Sequence, residues 1–246
     1  MTDTPRNKLS SDSLEEADRD RSKFSGHGSA VGAAGISTEG EIENAELRNT
    51  GDSKIVDSRD GGYGEIRIGS SWDDVHPQNK GFLGGLVSKL TVRKIDLDLG
   101  CLYELANGER GSIQALGDMY GSYDKPPYIT LTGDKKKGNR FEDGEFILIN
   151  GEKWAEIKRI LVYVYIYGRP VEWDLIKPQI FIRIPAEERL TALPALHNSS
   201  LPVAAIAGLE NVRNGIKITN YTEYFPGHAE MDRAFGFGIE WAEGSK

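Results

Sequence analysis

The sequence has a single cysteine, Cys101, so the chain cannot form an internal disulfide bond. The sequence also lacks the Walker-type and Rossmann glycine motifs that bind nucleotides. The G-x-S-x-G elbow of hydrolases is absent as well. Histidine is scarce, and the four that occur show neither His-x-x-x-His nor Cys/His spacing, which argues against a zinc site. These four residues are His27, His76, His197 and His228.

Long hydrophobic segments are also missing. The apolar run from Leu161 to Tyr167 is far shorter than the roughly 20 residues that a membrane-spanning helix needs. The N-terminus lacks the basic start and apolar stretch of a signal peptide. The sequence therefore predicts a cytoplasmic protein that is not anchored in a membrane.

Basic residues are fewer than acidic residues, which gives a net charge of −8 and an isoelectric point near 5.2. Binding to nucleic-acid phosphates requires clustered Lys and Arg. The one basic run, Lys135 to Lys137, is too short to provide such a surface. Nucleic acid is therefore excluded as the expected main partner.

The first 60 residues differ from the rest of the chain because Phe24 is their only aromatic residue. They carry 8 Lys or Arg against 13 Asp or Glu, a net charge of −5. Such a segment buries too little apolar surface to offset the entropy lost on ordering. The sequence predicts a disordered acidic tail at residues 1–60, either solubilising or docking a partner, and a folded domain at residues 61–246.

The remaining sequence consists of short β-rich runs separated by turn signals such as Asn107-Gly108 and Asn150-Gly151. The run RILVYVYIYG is typical of a central strand buried on both faces. A short helical pattern, Ala229 to Phe235, ends at Gly236. This pattern predicts an all-β fold, an antiparallel β-sandwich with a short C-terminal helix. Predicted strands span 65–68, 88–105, 111–116, 128–132, 146–149, 159–167, 179–184, 203–210 and 216–224.

In the stretch KIDLDLGCLYEL, residues 94–105, the first six residues alternate charged and aliphatic side chains with a period of two. In a strand, Asp96 and Asp98 therefore lie on one face, whereas Cys101 falls in the apolar pattern and is expected to be a buried small hydrophobe. The two carboxylates have two interpretations: a solvated strand face, or half of a cation site whose other oxygens come from elsewhere.

An acidic, glycine-containing loop between two strand patterns could supply those oxygens. The stretch LTGDKKKGNRFEDGEFILING contains five oxygen-bearing side chains, Asp134, Asn139, Glu142, Asp143 and Glu145. Calcium takes six to eight oxygen ligands, and flexible acidic loops can provide them. The order is not that of an EF-hand, so the loop by itself is a weak calcium signal.

A second polar cluster, His228, Glu230 and Asp232, occurs near the start of the predicted C-terminal helix. A catalytic role and a capping role are both conceivable for it. Acidic residues in a first turn are favoured by the helix dipole, so the pattern favours capping over catalysis.

Taken together, these segments resemble the TerD-like family of tellurium-resistance and stress-response proteins. The resemblance rests on KIDLDLGCLYEL and on the loop that opens with Gly133-Asp134 and closes with Asp143-x-Glu145. Three further segments are similar to the TerA branch: WDLIKPQIFIRI, SIQALGDMYGSYDKPPYITL and the ending EYFPGHAEMDRAFGFGIEWAEGSK. The similarity covers about residue 64 to the C-terminus.

The resemblance implies a β-sandwich with a calcium site where the D-x-D strand approaches the acidic loop. The metal ligands that it implies are Asp96, Asp98, Asp134, Asp143 and Glu145. Phe141 and Gly144 stand where the family often has acidic residues, and lysines occupy 135–137. Each change removes a ligand or adds a repelling charge, so the expected calcium affinity is lower than in a full site.

The resemblance also implies a function in resistance to tellurite and other stress. The chain is expected to be non-enzymatic and to bind other Ter-family proteins in a cytoplasmic assembly, with peripheral association to a membrane complex. Two alternatives differ in class: a metal-free protein-interaction scaffold, and an enzyme acting on tellurite.

Overall fold

Thirteen strands and two α-helices are found in the residues that the computed structural model describes, which are 45–73, 95–132, 145–168, 172–187, 189–194 and 200–241. The strands are β1 (Ala45–Leu47), β2 (Ser53–Val56), β3 (Glu65–Ser71), β4 (Asp96–Leu105), β5 (Arg110–Ile113), β6 (Gly121–Ser122), β7 (Ile129–Leu131), β8 (Phe146–Asn150), β9 (Ile157–Tyr167), β10 (Gln179–Arg183), β11 (Leu190–Ala192), β12 (Val203–Val212) and β13 (Gly215–Phe225). The helices are α1 (Trp173–Ile176) and α2 (His228–Phe235), and a 3-10 helix spans Gly151–Glu156.

The strands form two sheets. The first has the order β1-β11-β10-β3-β8-β7-β6, and the second has the order β2-β13-β12-β9-β4-β5. All neighbouring strands are antiparallel except β1 and β11, which pair in parallel through Ala45 and Leu190. The predicted all-β sandwich is therefore confirmed.

The main core lies between the two sheets and is built from alternate residues of the strands. Ile66 and Ile68 of β3 contribute from the first sheet, and Leu97, Leu99 and Cys101 of β4 from the second. The period-two pattern of residues 94–105 thus places its aliphatic side chains inward. Its carboxylates point to the opposite face of the second sheet.

The second sheet is covered on that opposite face by a smaller hydrophobic cluster. Alternate residues of β4, β9, β12 and β13 pack there against α2 and the residues that follow it. Leu102, Tyr163 and Tyr165 belong to this cluster from the strands, and Met231 and Phe237 from the C-terminal part. This explains why the run RILVYVYIYG is apolar on both faces, as predicted for a buried central strand.

The predicted domain boundary at residue 60 is too late. Strands β1 and β2 lie before it, and each joins the edge of a different sheet. Both are short, and Ile55 of β2 is exposed, so the sequence pattern contains little that distinguishes them from a tail. The prediction of disorder for residues 1–44 concerns a segment outside the described residues.

Asn220 of β13 joins the two sheets next to these edge strands. Its side chain is fully buried and donates from Nδ2 to the carbonyl oxygens of Leu47 at 2.9 Å and Leu193 at 2.8 Å. Thr222 donates to its Oδ1 at 2.6 Å. A buried amide satisfied at both ends fixes the spacing between the sheets here.

The two α-helices are short. The predicted C-terminal helix is confirmed as α2, which ends at Gly236 in a left-handed conformation with φ of 63°. Within the described ranges, neither helix has the length and apolar character required to cross a membrane.

Candidate functional site

The outer face of β4 and β9 presents a row of cross-strand pairs. Asp98 lies opposite Tyr165, and Gly100 lies opposite Tyr163. A Cβ atom at Gly100 would lie 2.5 Å from Cζ of Tyr163, so only glycine leaves room for this ring to lie across β4. The absence of a side chain at Gly100 therefore sets the position of the aromatic row beside Asp98.

Strand β4 extends beyond its neighbour β5. The two strands pair only from Cys101 to Glu104, whereas β9 pairs with the whole length of β4. At the overhanging end, the backbone N–H of Leu99 donates to Oε2 of Glu145 at 3.1 Å. Glu145 directly precedes β8 of the other sheet, so its carboxylate links the two sheets at this edge.

Three carboxylates act electrostatically on the hydroxyl group of Tyr165. Burial raises the pKa of Tyr165, and the charge of Asp98 together with its hydrogen bond to the hydroxyl raises it further. The charges of Glu145 and Asp96 act in the same direction. Asp96 is exposed and Asp98 is half-buried. We call Asp96, Asp98 and Glu145 the carboxylate site.

The carboxylate site contains three of the five predicted metal ligands. The other two, Asp134 and Asp143, lie outside the described residues. No set of three His, Cys, Asp or Glu side chains within the described ranges is arranged to hold a metal ion by itself. The donor chemistry nevertheless fits a hard cation, because carboxylate oxygens are the ligands that calcium prefers and like charges brought together favour a cation between them.

On the side away from the strand edge, the aromatic row contacts the C-terminal segment, which we define as residues 228–241. The ring of His228 makes edge contacts with Tyr163 and Tyr165, each with a centroid distance of 5.1 Å. Trp241 stacks on the His228 ring with a centroid distance of 5.4 Å. Burial lowers the pKa of His228. Sequence reasoning missed this packing role of His228.

Asp232 organises the turn that follows α2. Its carboxylate is buried and accepts hydrogen bonds from the backbone N–H groups of Gly238 and Ile239, at 2.7 and 2.8 Å. It also accepts one from Nε1 of Trp241 at 3.0 Å. Of the three residues for which capping was favoured, only Glu230 lies as an acidic residue in the first turn, and no side chain caps this helix.

A buried ion cluster holds the end of α2 to the sheet. Glu104 is 2% exposed and accepts from Arg159, Lys158 and Arg110. Arg159 also donates to the carbonyl oxygens of Phe235 and Gly236, both at 2.9 Å, where the helix dipole favours a cation. Burial would raise the pKa of Glu104, but the hydrogen bonds from Lys158 and Arg159 lower it to about 2. Sequence reasoning missed this cluster because its members are distant along the chain.

Cys101 lies in the main core and is fully buried. Burial raises the pKa of its thiol, so the thiolate that a nucleophile requires is disfavoured. The structure thus places Cys101 where the sequence pattern predicted it, as a small apolar side chain between the sheets.

Comparison with known proteins identifies one curated relative. The chain is 37% identical over 184 residues to tellurium resistance protein TerA of Alcaligenes sp, an alignment that covers 75% of the chain and 53% of the relative. The chain therefore spans about half the length of the curated relative that it matches. No protein-family model matches the chain. Among solved structures, a homologue of telluride resistance protein TerD from Streptomyces coelicolor aligns with 73% of the chain and 100% of its own length, at a TM-score of 0.46 and 14% identity.

Two mainly antiparallel sheets with carboxylates gathered at an overhanging strand define a β-sandwich with a candidate cation site. Sequence similarity over 75% of the chain relates it to a tellurium-resistance protein, and that relative is TerA.

Proposed function

We propose that the chain is a non-enzymatic tellurium-resistance protein that binds calcium at the carboxylate site and acts through contacts with other proteins. The similarity to TerA supports the part in tellurium resistance. The proposed setting is a cytoplasmic assembly with other Ter-family proteins, associated peripherally with a membrane complex.

One observation carries the proposed calcium site. The side chain of Glu145 bonds to the N–H of Leu99, and its charge acts with those of Asp96 and Asp98 on the hydroxyl of Tyr165. The last residue of the acidic loop is therefore adjacent to the D-x-D strand. Asp134 and Asp143 are proposed to complete the coordination shell from the same loop.

The lysines at 135–137 favour the second candidate, a scaffold that works without metal. Three positive charges in a calcium loop oppose binding of a divalent cation. We therefore expect weak binding, with a dissociation constant of about 0.1 to 1 mM. The scaffold candidate predicts that calcium has no effect on the protein.

Calorimetric titration of calcium into the full chain separates the two candidates. At a calcium concentration ten times the dissociation constant, the free energy of unfolding should rise by about 1.4 kcal/mol. Replacing both strand ligands, Asp96→Asn with Asp98→Asn, should abolish the heat and the stabilisation. The variant Asp174→Asn removes an exposed carboxylate of α1 and should behave like the wild type. Absence of any effect at 10 mM calcium would leave the scaffold candidate.

Growth on tellurite tests the proposed biological role. Cells that lack the protein should regain resistance when they express the full chain together with the other Ter proteins. The Asp96→Asn/Asp98→Asn variant should fail to restore it if calcium is required, and should succeed if the chain is a metal-free scaffold.

The enzyme alternative has its own test. The buried thiol of Cys101 supports a non-enzymatic role, since it is the chain's one cysteine and is inaccessible to tellurite. Purified protein mixed with tellurite and a thiol reductant should consume tellurite no faster than the reductant does. Faster consumption that persists after repurification would contradict the non-enzymatic proposal.

A further inference from the structure

The C-terminal segment is fixed to the second sheet at two separate places. At the end of α2, Arg159 bonds to the carbonyl oxygens of Phe235 and Gly236, and Arg110 donates to that of Phe237 at 2.8 Å. The guanidinium of Arg159 also lies 4.1 Å from the ring centre of Phe237. This first anchor is distant along β4 from the carboxylate site.

The second anchor joins the segment to Tyr165, which adjoins the carboxylate site. His228 contacts the rings of Tyr165 and Trp241, with centroid distances of 5.1 and 5.4 Å. Asp232 accepts a hydrogen bond from Nε1 of Trp241 and from the backbone of Gly238, so the Trp241 ring is tied to α2. The segment therefore contacts the Tyr165 ring through His228.

The opposite end of the Tyr165 side chain meets the carboxylate site. Its hydroxyl hydrogen-bonds to Asp98, which lies directly across from it in the β4–β9 pair. A tyrosine side chain has two main torsions and moves as a rigid unit beyond Cβ. Displacement of the ring therefore displaces the hydroxyl and the hydrogen bond that orients Asp98.

From these contacts we infer that Tyr165 couples the orientation of Asp98 to the docking of the C-terminal segment. Tyr165 is a positioning residue: hydrogen bonds to a ligating carboxylate fix its orientation and tune its affinity for the metal. Where the carboxylate site binds calcium, which rests on the proposed function, docking and calcium binding stabilise each other, because coupling between two sites is reciprocal.

Hydrogen–deuterium exchange tests the coupling in the full chain without metal. The amides of Gly238 and Ile239 report docking, since both donate to Asp232. The variant Asp98→Ala should speed their exchange about fivefold or more. Asp96→Ala is the matched control, because it removes the neighbouring carboxylate of the same strand face and should leave these amides unchanged. An unchanged rate in Asp98→Ala, or an equal increase in both variants, would overturn the inference.

Calcium titration supplies the reciprocal experiment. Trp241→Ala should weaken calcium binding about fivefold or more, whereas Trp72→Ala, the same change at another half-buried tryptophan, should not. Tyr165→Phe keeps the ring that His228 contacts but removes the hydroxyl. It should weaken calcium binding about tenfold and speed the exchange of the Gly238 and Ile239 amides as Asp98→Ala does, because both variants remove the same hydrogen bond. Neither effect would occur if Tyr165 were only a packing residue.

The two proposals fail in different ways. If the wild type binds no calcium, the proposed metal site is wrong, and the exchange experiment still decides the coupling. If the wild type binds calcium but Trp241→Ala and Tyr165→Phe bind equally well, the coupling is wrong and the metal site stands.

Discussion

Arg159 donates from Nε to Oε2 of Glu104 at 2.7 Å, and this pair lies directly opposite across β4 and β9. The same guanidinium holds the last carbonyl oxygens of α2. One arginine thus satisfies a buried carboxylate and attaches the C-terminal segment. The stability of the protein should therefore respond both to the protonation of Glu104 and to substitution of Arg159.

Acid stability should depend on Glu104. Its pKa of about 2 in the folded protein lies below its ordinary value of about 4.5, so its contribution to stability is present above pH 4.5 and is lost as the pH falls to 2. The loss should amount to about 3 kcal/mol. Glu104→Gln should be less stable than the wild type at pH 7, and the difference should vanish near pH 2. Urea unfolding at several pH values measures this difference. Glu109→Gln, at an exposed position, is the control and should lose stability at low pH as the wild type does.

Replacing Arg159 should be far more harmful than replacing Lys158. Arg159→Leu leaves a buried carboxylate with fewer partners and frees the end of α2, which should cost about 3–5 kcal/mol. Lys158 is 57% exposed and Glu104 keeps its other bonds without it, so Lys158→Leu should cost about 1 kcal/mol or less. Chemical denaturation at pH 7 compares them, and equal losses would show that the cluster acts only through net charge.

The link between the sheets should depend on Asn220. Asn220→Ala leaves the carbonyl oxygens of Leu47 and Leu193 without this donor, and we expect a loss of about 3 kcal/mol. Asn107→Ala removes an exposed turn amide that accepts the N–H of Glu109, and should cost about 1 kcal/mol or less. Thermal unfolding distinguishes the two, and a mild effect at both positions would contradict the role given to Asn220.

A methyl group at Gly100 should collide with the ring of Tyr163. Gly100→Ala is expected to destabilise the protein by about 1–3 kcal/mol. In a Tyr163→Leu background the ring is gone, so the same change should cost much less. A double-mutant cycle measured by urea unfolding gives the interaction. Additive losses would mean that the backbone, not the ring, requires glycine here.

Mild acid should loosen the C-terminal segment through His228. Burial lowers the pKa of this imidazole below its ordinary value of about 6.5, so folding stability is full above that pH and decreases as the pH falls below it. The rings of Tyr163, Tyr165 and Trp241 surround it. His228→Phe should remove this dependence between pH 7 and 5. Persistence of the slope in the variant would assign it to other groups.

The long strands were predictable because their pattern is strong. Strand β9 is apolar on both faces, and the predicted span 159–167 lies within it. The predicted span 88–105 is confirmed as β4 for residues 96–105, whereas residues 88–94 lie outside the described residues. Strand β1 has three residues, and its parallel pairing with β11 joins positions about 145 residues apart. No local pattern encodes such a pairing, so the start of the sandwich was misplaced.

The candidate site shows the same division. Period two sufficed to put Asp96 and Asp98 on one face of β4. The approach of Glu145 to Leu99 depends on how the two sheets stack, and the position of His228 depends on where α2 docks. The sequence pattern favoured capping for Asp232. Its actual partners, Gly238 and Trp241, lie beyond the helix in a turn that no sequence pattern indicates.

The overhanging end of β4 has a consequence for self-association. Backbone amides at a strand edge are where a second chain can add a strand, and charged side chains at an edge oppose this. The carboxylate of Glu145 accepts the hydrogen bond of the Leu99 N–H group, so this amide is not available to another strand. Asp96 adds negative charge to the same edge. A like-charged edge from another copy would be repelled. Neutralising these carboxylates with a divalent cation would remove part of that repulsion, so the tendency of the chain to pair edge to edge should rise with calcium.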